Sequence, residues 1–161
     1  MIQKPNALPW LLLSLLVIAL DQLTKHVALT ELQPYAPHAV IPGLLNWTLA
    51  FNTGAAFSFL AGADGWQRWL FTVLAIGVSL LLGFWLSSTP RRDWRNAMPL
   101  ALIIGGALGN LIDRLRFGHV TDFIQVYHHD WAFPAFNIAD SAISIGAVML
   151  ILFGVLSSRR P

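Results

Sequence analysis

Four long apolar runs, separated by polar or turn-rich stretches, dominate the hydrophobic pattern of this chain. They cover residues 9–29, 66–86, 97–115 and 138–156, and each is close to the ~20 residues that an α-helix needs to cross a bilayer. The pattern therefore predicts a mainly α, polytopic membrane protein, with one domain over residues 1–161. The stretch from Leu8 to Leu20 has the length and composition of a secretory signal-peptide core, but no small-x-small cleavage site follows it, so an uncleaved first span is expected.

The two longer connections have a different pattern. Proline and glycine punctuate residues 30–65, and Leu44 to Phe59 is rich in β-branched and aromatic residues with partial alternation, which favours short strands and turns. Such a backbone cannot face lipid, so we predict an extramembrane cradle here, with a turn at Asn52. Residues 116–136 are predicted to form a second connecting loop on the same side of the membrane.

Composition supports the membrane assignment and excludes several kinds of function. Hydrophobic residues make up 56% of the chain and charged residues only 11%, whereas soluble domains have about 25% charged residues. The absence of cysteine excludes disulfides and thiol catalysis. The five histidines contain no His-Glu-x-x-His pattern, so a zinc protease is not expected. The basic residues form no stripe, so no nucleic-acid partner is expected.

The distribution of basic residues predicts the orientation. Four spans place both termini and the 87–96 connection on one side, and that side holds six of the ten basic residues, namely Lys4, Arg91, Arg92, Arg95, Arg159 and Arg160. Lysine and arginine are enriched in cytoplasmic loops. We therefore predict cytoplasmic termini and a functional site at the opposite face, which in a bacterial inner membrane is the periplasmic edge.

Two carboxylates border the last two apolar runs, Asp122 and Asp140. We expect Asp122 at the outer end of the third helix and Asp140 in the first turn of the fourth. Acids next to hydrocarbon are costly and are functional candidates by default. A close pair shares one proton and can activate water, which leads to the hypothesis of a membrane-embedded aspartyl protease. The alternative interpretation is structural: Asp122 caps a loop, and Asp140 favours the positive end of its helix.

Other polar residues occur at helical spacing in the apolar runs. Asp21 and Lys25, at i and i+4, predict an ion pair on one helix face. Asn110, Asp113 and Arg114 share a face, and Asp113 with Arg114 is interpreted as a structural ion pair. Asn137 and Ser141 flank Asp140 and are candidates to orient a carboxylate by hydrogen bonding. A separate group of small residues, Gly105, Gly106 and Gly109, predicts close helix packing.

Two functions of other classes are alternatives for such a chain. A small proton-coupled membrane transporter also uses intramembrane acids, but the halves of the chain are not repeats and the acids cluster at one face. A non-catalytic membrane scaffold would make Asp122 and Asp140 dispensable. The Gly-x-Gly-Asp motif of presenilin-like intramembrane proteases is absent.

Five blocks, in order, resemble bacterial lipoprotein signal peptidase (signal peptidase II) over nearly the whole chain. They are Asp21 to Lys25, Asn52 to Phe57, Gly105 to Arg114, Val120 to Phe123 and Phe136 to Ser141. The resemblance implies four transmembrane helices, a periplasmic β-cradle and a short periplasmic helix beside the site. It also implies an endopeptidase that cuts diacylglyceryl-modified prolipoproteins just before the lipidated cysteine.

The resemblance further implies roles for particular residues. Asp122 and Asp140 are the expected catalytic dyad. The supporting and substrate-binding residues are Asp21, Lys25, Asn52, Gly106, Asn110, Arg114 and Asn137. Neither a metal nor another cofactor is expected. The expected partners are the lipidated prolipoproteins, membrane lipids and the inhibitor globomycin, and a monomer is expected.

Overall fold

The computed structural model describes residues 6–54 and 65–158. Four long helices form its body: α1 (Leu11–Glu31), α2 (Trp66–Ser88), α3 (Trp94–Phe117) and α4 (Ile138–Ser158). A short 3₁₀ turn, Leu8–Trp10, leads into α1. All four helices are long and apolar enough to cross a membrane, which confirms the prediction of four spans. Their observed ends differ from the predicted ones by at most three residues.

The third helix is the central one. In α3, 61% of the most apolar window is buried inside the protein, whereas the corresponding share is 17–28% in the other three helices. The other helices expose large apolar side chains such as Leu12, Leu80 and Ile151, as expected for surfaces that face lipid. Residues that α3 carries are therefore surrounded by protein, and polar ones among them must find protein partners.

Local signals at both ends of α3 account for its limits. Asp93 precedes the helix, and its side chain accepts a hydrogen bond from the backbone nitrogen of Asn96, the usual role of an N-cap residue. Gly118 follows the helix with a φ of 84°, a left-handed conformation that glycine adopts without steric cost. The chain therefore turns sharply after Phe117 and can enter a strand.

In the described residues, the α1–α2 and α3–α4 connections contribute strands to one four-stranded antiparallel sheet. Its strands are β1 (His38–Ile41), β2 (Leu45–Asn52), β3 (Val120–His128) and β4 (Trp131–Ala132), and their order in the sheet is β1-β2-β3-β4. Strand β2 pairs with β3 from Leu45 opposite Val126 to Asn52 opposite Val120. The small sheet confirms the predicted cradle, which here is built from both long connections.

Two details differ from the sequence predictions. Residues 116–136 are not a connecting loop, because β3 and β4 lie in them and pair with β2. Consequently Asp122 lies in a strand and not at the end of the third helix. The physical reason is that a backbone outside the helices must still satisfy its hydrogen bonds, and β2 offers a partner. A short outer helix is not found in residues 6–54 and 65–158, and residues 55–64 lie outside the described part of the chain.

The sheet and the α2–α3 connection lie at opposite ends of the bundle. At the end away from the sheet, the backbone nitrogen of Ala7 donates to the carbonyl oxygen of Thr89, and the rings of Trp94 and Phe153 lie 5.3 Å apart. At the other end, Phe123 of β3 packs with Ala28 of α1 and Leu49 of β2. The beginning of α1, the α2–α3 connection and the end of α4 therefore share one end.

Candidate active site

The start of α4 is fixed by Asn137 and Asp140. The Oδ1 atom of Asn137 accepts a hydrogen bond from the backbone nitrogen of Asp140 at 2.9 Å, and Oδ2 of Asp140 accepts one from the backbone nitrogen of Asn137 at 3.3 Å. Such a reciprocal pair is a capping box. Asp140 is thus a first-turn acid, as the structural interpretation expected, and the cap holds its carboxylate in one orientation.

Asp122, which lies in β3 of the sheet, also contacts Asn137. Its Oδ1 atom accepts a hydrogen bond from Nδ2 of Asn137 at 2.7 Å, and the Asn52 side chain, at the end of β2, also hydrogen-bonds to it. Only 2% of Asp122 is exposed. Strand pairing explains the approach of Asn52, because the β2–β3 register sets Ala50 opposite Asp122.

The environment of Asp122 changes its acidity. Burial, followed by the negative charge of Asp140, raises the pKa of Asp122 from 3.8 to about 7, while the hydrogen bonds from Asn52 and Asn137 and the charge of Lys25 oppose the shift. Two nearby carboxyl groups that resist joint ionisation share a proton and titrate as a pair. Asp122 and Asp140, which we call the dyad, therefore meet the electrostatic requirement for acid–base chemistry near neutral pH.

Lys25 lies at the centre of a second, fully buried cluster next to the dyad. Its Nζ atom contacts Oδ2 of Asp21 at 2.8 Å, Oδ2 of Asp113 at 3.0 Å and Oδ1 of Asn110 at 2.9 Å. These three contacts use all three ammonium donors. A second oxygen of Asp21, Oδ1, accepts a hydrogen bond from the backbone nitrogen of Ala139 at 2.9 Å. The predicted Asp21–Lys25 pair is therefore present and ties α1 to α3 and α4.

Two asparagines connect the Lys25 cluster to the dyad. Asn110 accepts from Lys25 and donates through Nδ2 to Oδ1 of Asp140 at 2.7 Å. Asn137 donates to Asn110 at 3.2 Å and to Asp122 at 2.7 Å. An asparagine can accept and donate at once, which a carboxylate cannot do. Each member of the dyad thus receives a short hydrogen bond from an amide whose own position is fixed by the same network.

One predicted ion pair is wrong. Asp113 pairs with Lys25 and not with its neighbour Arg114. The Nη1 atom of Arg114 instead lies 3.4 Å from the backbone oxygen of Asn110, and its guanidinium lies 5.2 Å from the centre of the Phe71 ring. Consecutive helical residues point in directions about 100° apart, so Asp113 faces α1 while Arg114 faces α2. Ser141, predicted to orient a carboxylate, donates to the backbone oxygen of Asn137.

Sequence reasoning missed two participants. Gln22 donates through Nε2 to Oδ1 of Asp113 at 2.9 Å and to the backbone oxygen of Gly109 at 3.2 Å. Its position inside an apolar run, next to Asp21, was a usable signal. The backbone of Thr121 donates to Oδ2 of Asp113 at 3.0 Å, and its oxygen accepts from Asn137. The residue type does not show where the backbone groups of a residue point, so these two contacts could not be predicted from the sequence.

The predicted glycine packing is present where α3 contacts α1 and α4, next to the site. A Cβ atom added to Gly106 would collide with the backbone oxygen of Ala139, and one added to Gly109 would lie 2.8 Å from Oδ2 of Asp21. On the α1 side, a Cβ at Gly105 would lie 2.8 Å from Cβ of Val17. Without these side chains the helices approach closely enough for the polar groups to meet. Gly106 therefore acts through the spacing of α3 and α4.

A groove between α2, α3 and α4 ends at Asp140. It encloses a cavity of about 280 Å³. Asp140, Asn110 and Arg114 form its polar end, and the remaining wall is apolar, lined by Phe71, Leu74, Ala75, Val78, Ile103, Ala107 and Ile143. An elongated apolar ligand with one polar region opposite Asp140 would match this lining.

The described residues offer no metal site of the usual kind. In residues 6–54 and 65–158, no three His, Asp or Glu side chains are grouped so that they could hold a metal ion.

All nine predicted site residues lie in or against the network around the dyad. Asp122, Asp140, Asp21, Lys25, Asn52, Asn110 and Asn137 take part through hydrogen bonds or ion pairs, Gly106 through packing, and Arg114 through the groove.

Comparisons with known proteins identify relatives of the chain. The family model described as signal peptidase (SPase) II, Peptidase_A8, matches residues 13–156. A protein of Xylella fastidiosa (strain M12) named lipoprotein signal peptidase is 59% identical over 156 residues, which are 97% of this chain and 93% of that protein. A protein of the same name from Xanthomonas campestris pv. campestris (strain 8004) is 58% identical over 99% of this chain and 97% of its own length.

Solved structures are similar as well. One, described as a bacterial membrane enzyme structure obtained by the in meso method at 2.3 Å resolution, has a TM-score of 0.80 and 30% identity, covering 99% of this chain and 94% of its own. A second such enzyme, at 1.9 Å resolution, has a TM-score of 0.75 and 32% identity, covering 94% of this chain and 96% of its own. The chain therefore belongs to the signal peptidase II family and is an aspartic-type endopeptidase.

Proposed function

We propose that this protein removes the signal peptide from diacylglyceryl-modified prolipoproteins, cutting just before the lipidated cysteine, and that Asp122 and Asp140 are its catalytic residues. One observation carries the assignment of the dyad. Asp122 and Asp140 come from different elements, lie within electrostatic range of each other, and each accepts a 2.7 Å hydrogen bond from an amide of one network. The shared name of the relatives, lipoprotein signal peptidase, supports the substrate class.

The chemistry follows from a pair that holds one proton. The ionised carboxylate removes a proton from water, and the resulting hydroxide attacks the carbonyl carbon of the residue before the cysteine. The protonated carboxyl group donates a hydrogen bond to the carbonyl oxygen, which develops negative charge. The protonated carboxyl group then passes its proton to the cysteine nitrogen and the C–N bond breaks, while the dyad retains the proton taken from water. The products are a free carboxyl terminus and a free amine. Water supplies all the atoms added.

The groove supports a binding mode for the signal peptide. Its apolar wall is formed by membrane-spanning parts of α2, α3 and α4, and its polar end is at Asp140. The apolar segment of a signal peptide would contact this wall while the bond to be cut lies opposite the dyad. The diacylglyceryl group would remain in the outer leaflet, so its acyl chains need not leave lipid. Globomycin, proposed as an inhibitor, would compete at the dyad.

The orientation proposed for the membrane has cytoplasmic termini and a periplasmic sheet. The end of the bundle that holds the first described residues also holds Arg91, Arg92 and Arg95, and the dyad lies towards the sheet at the other end. Lysine and arginine near span ends favour the cytoplasmic side. A bacterial inner membrane fits this arrangement, because the sheet then meets substrate and water in the periplasm.

The test of the dyad uses purified full-length protein and a diacylglyceryl-modified prolipoprotein. We expect Asp122→Asn and Asp140→Asn each to lower kcat by at least about 10³-fold, since each removes one acid–base group. Asp130→Asn is the matched control, because Asp130 is exposed in the β3–β4 turn. Circular dichroism and substrate binding should be unchanged in all three variants. Cleavage by either dyad variant at a rate near that of wild type would refute the assignment.

A further inference from the structure

A second cavity, of about 470 Å³, lies between α1 and the sheet. Its wall includes Leu23 and Val27 of α1, Leu32 after the helix, and Trp47 and Phe123 of the sheet. It shares no lining residue with the groove at Asp140. Successive side chains of a strand point to opposite faces, so Phe123 lines this cavity while Asp122 points the other way, towards Asn137. The cavity is therefore separate from the proposed catalytic site.

The chemistry of the wall suits hydrocarbon and not a polar ligand. Nearly all lining side chains are apolar, and the hydroxyl of Thr24, which also lines the cavity, already donates within α1, to the oxygens of Leu20 and Asp21. The neighbouring face of α1 is open, with Leu23 60% and Val27 50% exposed. In a spanning helix this face meets lipid. An acyl chain in the cavity would make dispersion contacts with this apolar wall.

One charged group marks the rim. Glu31 is the last residue of α1 and lines the cavity. The carboxyl end of a helix carries partial negative charge, so an acid there is unfavourable unless a cation is near. The last turn of α1 contains no basic residue, and Glu31 forms no ion pair with any residue in 6–54 or 65–158. Trp47 lines the same wall, and an indole ring attracts a cation that lies over its face.

We propose that this cavity binds one phospholipid with an ammonium headgroup, phosphatidylethanolamine, with an acyl chain in the cavity and the ammonium at Glu31. The acyl chain would contact Phe123 and so support β3, the strand that carries Asp122. This inference does not depend on the catalytic roles of Asp122 and Asp140, because it concerns another face of the strand.

The test is native mass spectrometry of the purified full-length protein in detergent. Phosphatidylethanolamine and phosphatidylglycerol with the same acyl chains are added in equal amounts. We expect one retained phosphatidylethanolamine, preferred about fivefold over phosphatidylglycerol, as one charge contact near the surface supplies. Val27→Trp, which fills the cavity, should lose the lipid. Leu80→Trp is its control, because Leu80 is 70% exposed on α2, and it should keep the lipid.

The headgroup is tested separately. Glu31→Gln should still retain a lipid but lose the preference for phosphatidylethanolamine, whereas Asp130→Asn should keep it. If Val27→Trp does not fold, as judged by circular dichroism, Leu23→Phe replaces it. Equal retention of both lipids by wild type, or unchanged retention by the filled variant, would overturn the proposal. So would a filled variant that keeps the phospholipid but has a raised KM, since the cavity would then hold the acyl chain of the substrate.

Discussion

At the residue scale, the decisive property of the site is that its carboxyl groups outnumber its cations. Asp21, Asp113, Asp122 and Asp140 lie around Lys25 and Arg114. Lys25 is used by Asp21 and Asp113, so the dyad receives amide hydrogen bonds in place of a direct ion pair. An amide stabilises a carboxylate less than a cation does. The pair therefore still holds one proton near neutral pH.

This proton predicts the pH dependence of cleavage. The pair must hold one proton to act as acid and base together, and the pKa of Asp122 is about 7. We expect kcat/KM to fall as the pH rises above about 7 to 8, because the shared proton is then lost. It should also fall in acid, when both groups are protonated. A rate profile measured with a lipidated peptide, flat from pH 6 to 9, would contradict the shared proton.

The raised pKa of Asp122 should also make the folded protein less stable as the pH rises. Between pH 4 and 7 the folded protein keeps a proton on Asp122 that the unfolded chain has lost, so the free energy of unfolding falls as the pH rises and levels off above this range. The change is at most about 4 kcal/mol. Thermal unfolding in detergent should therefore have a lower midpoint at pH 8 than at pH 5, with a smaller difference in Asp122→Asn. An equal difference in both proteins would contradict this origin.

At the element scale, the close approach of α3 and α4 sets the geometry of the dyad. Gly106→Ala would drive a methyl group against the backbone oxygen of Ala139, one residue from Asp140. Backbone cannot move aside as a flexible side chain can. We expect a loss of stability of about 1–3 kcal/mol and a loss of kcat, measured by thermal unfolding and by cleavage of the lipidated substrate.

Gly77→Ala is the matched control for this prediction. Gly77 lies in α2, and a Cβ atom there would meet nothing within 4 Å. Alanine is a better helix former than glycine, by up to about 1 kcal/mol, so this variant should be as stable as wild type or slightly more so, with unchanged activity. If both alanine variants behaved alike, packing at Gly106 would not matter to the site.

The sequence predicted the elements better than their contacts. Apolar length located the four helices, and glycine spacing located the α3 contact surface. In contrast, the partner of Asp113 was predicted wrongly, because its true partner Lys25 lies on another helix and adjacent residues offered a simpler pair. The strand identity of Asp122 was also missed, since β3 pairs with β2, about 75 residues earlier. Contacts between distant segments depend on topology, which local patterns do not specify.

At the scale of the whole molecule, the two ends of the bundle differ in charge and structure, and this predicts the orientation. A fluorescent protein fused after Pro161 should fluoresce, because it would remain in the cytoplasm. Alkaline phosphatase inserted at Asp130, in the exposed β3–β4 turn, should be active, because that enzyme needs the periplasm. The controls exchange the two reporters, with alkaline phosphatase after Pro161 and the fluorescent protein at Asp130, and both should be inactive. Activity of the phosphatase after Pro161 would contradict the orientation.

The buried cluster around Lys25 also has a consequence for biogenesis. The partners of α1 are made late: Asn110 is 85 residues beyond Lys25, Asp113 is 91 beyond Gln22, and Ala139 is 118 beyond Asp21. During synthesis, Asp21 and Lys25 lack their partners on α3 and α4, so we expect α1 to lie near the water interface first and to reach its final position later. A cysteine at Ala28, which is 3% exposed, should be labelled in a chain ending at residue 96 and protected in the full chain. The first helix to be made is therefore among the last to be completed.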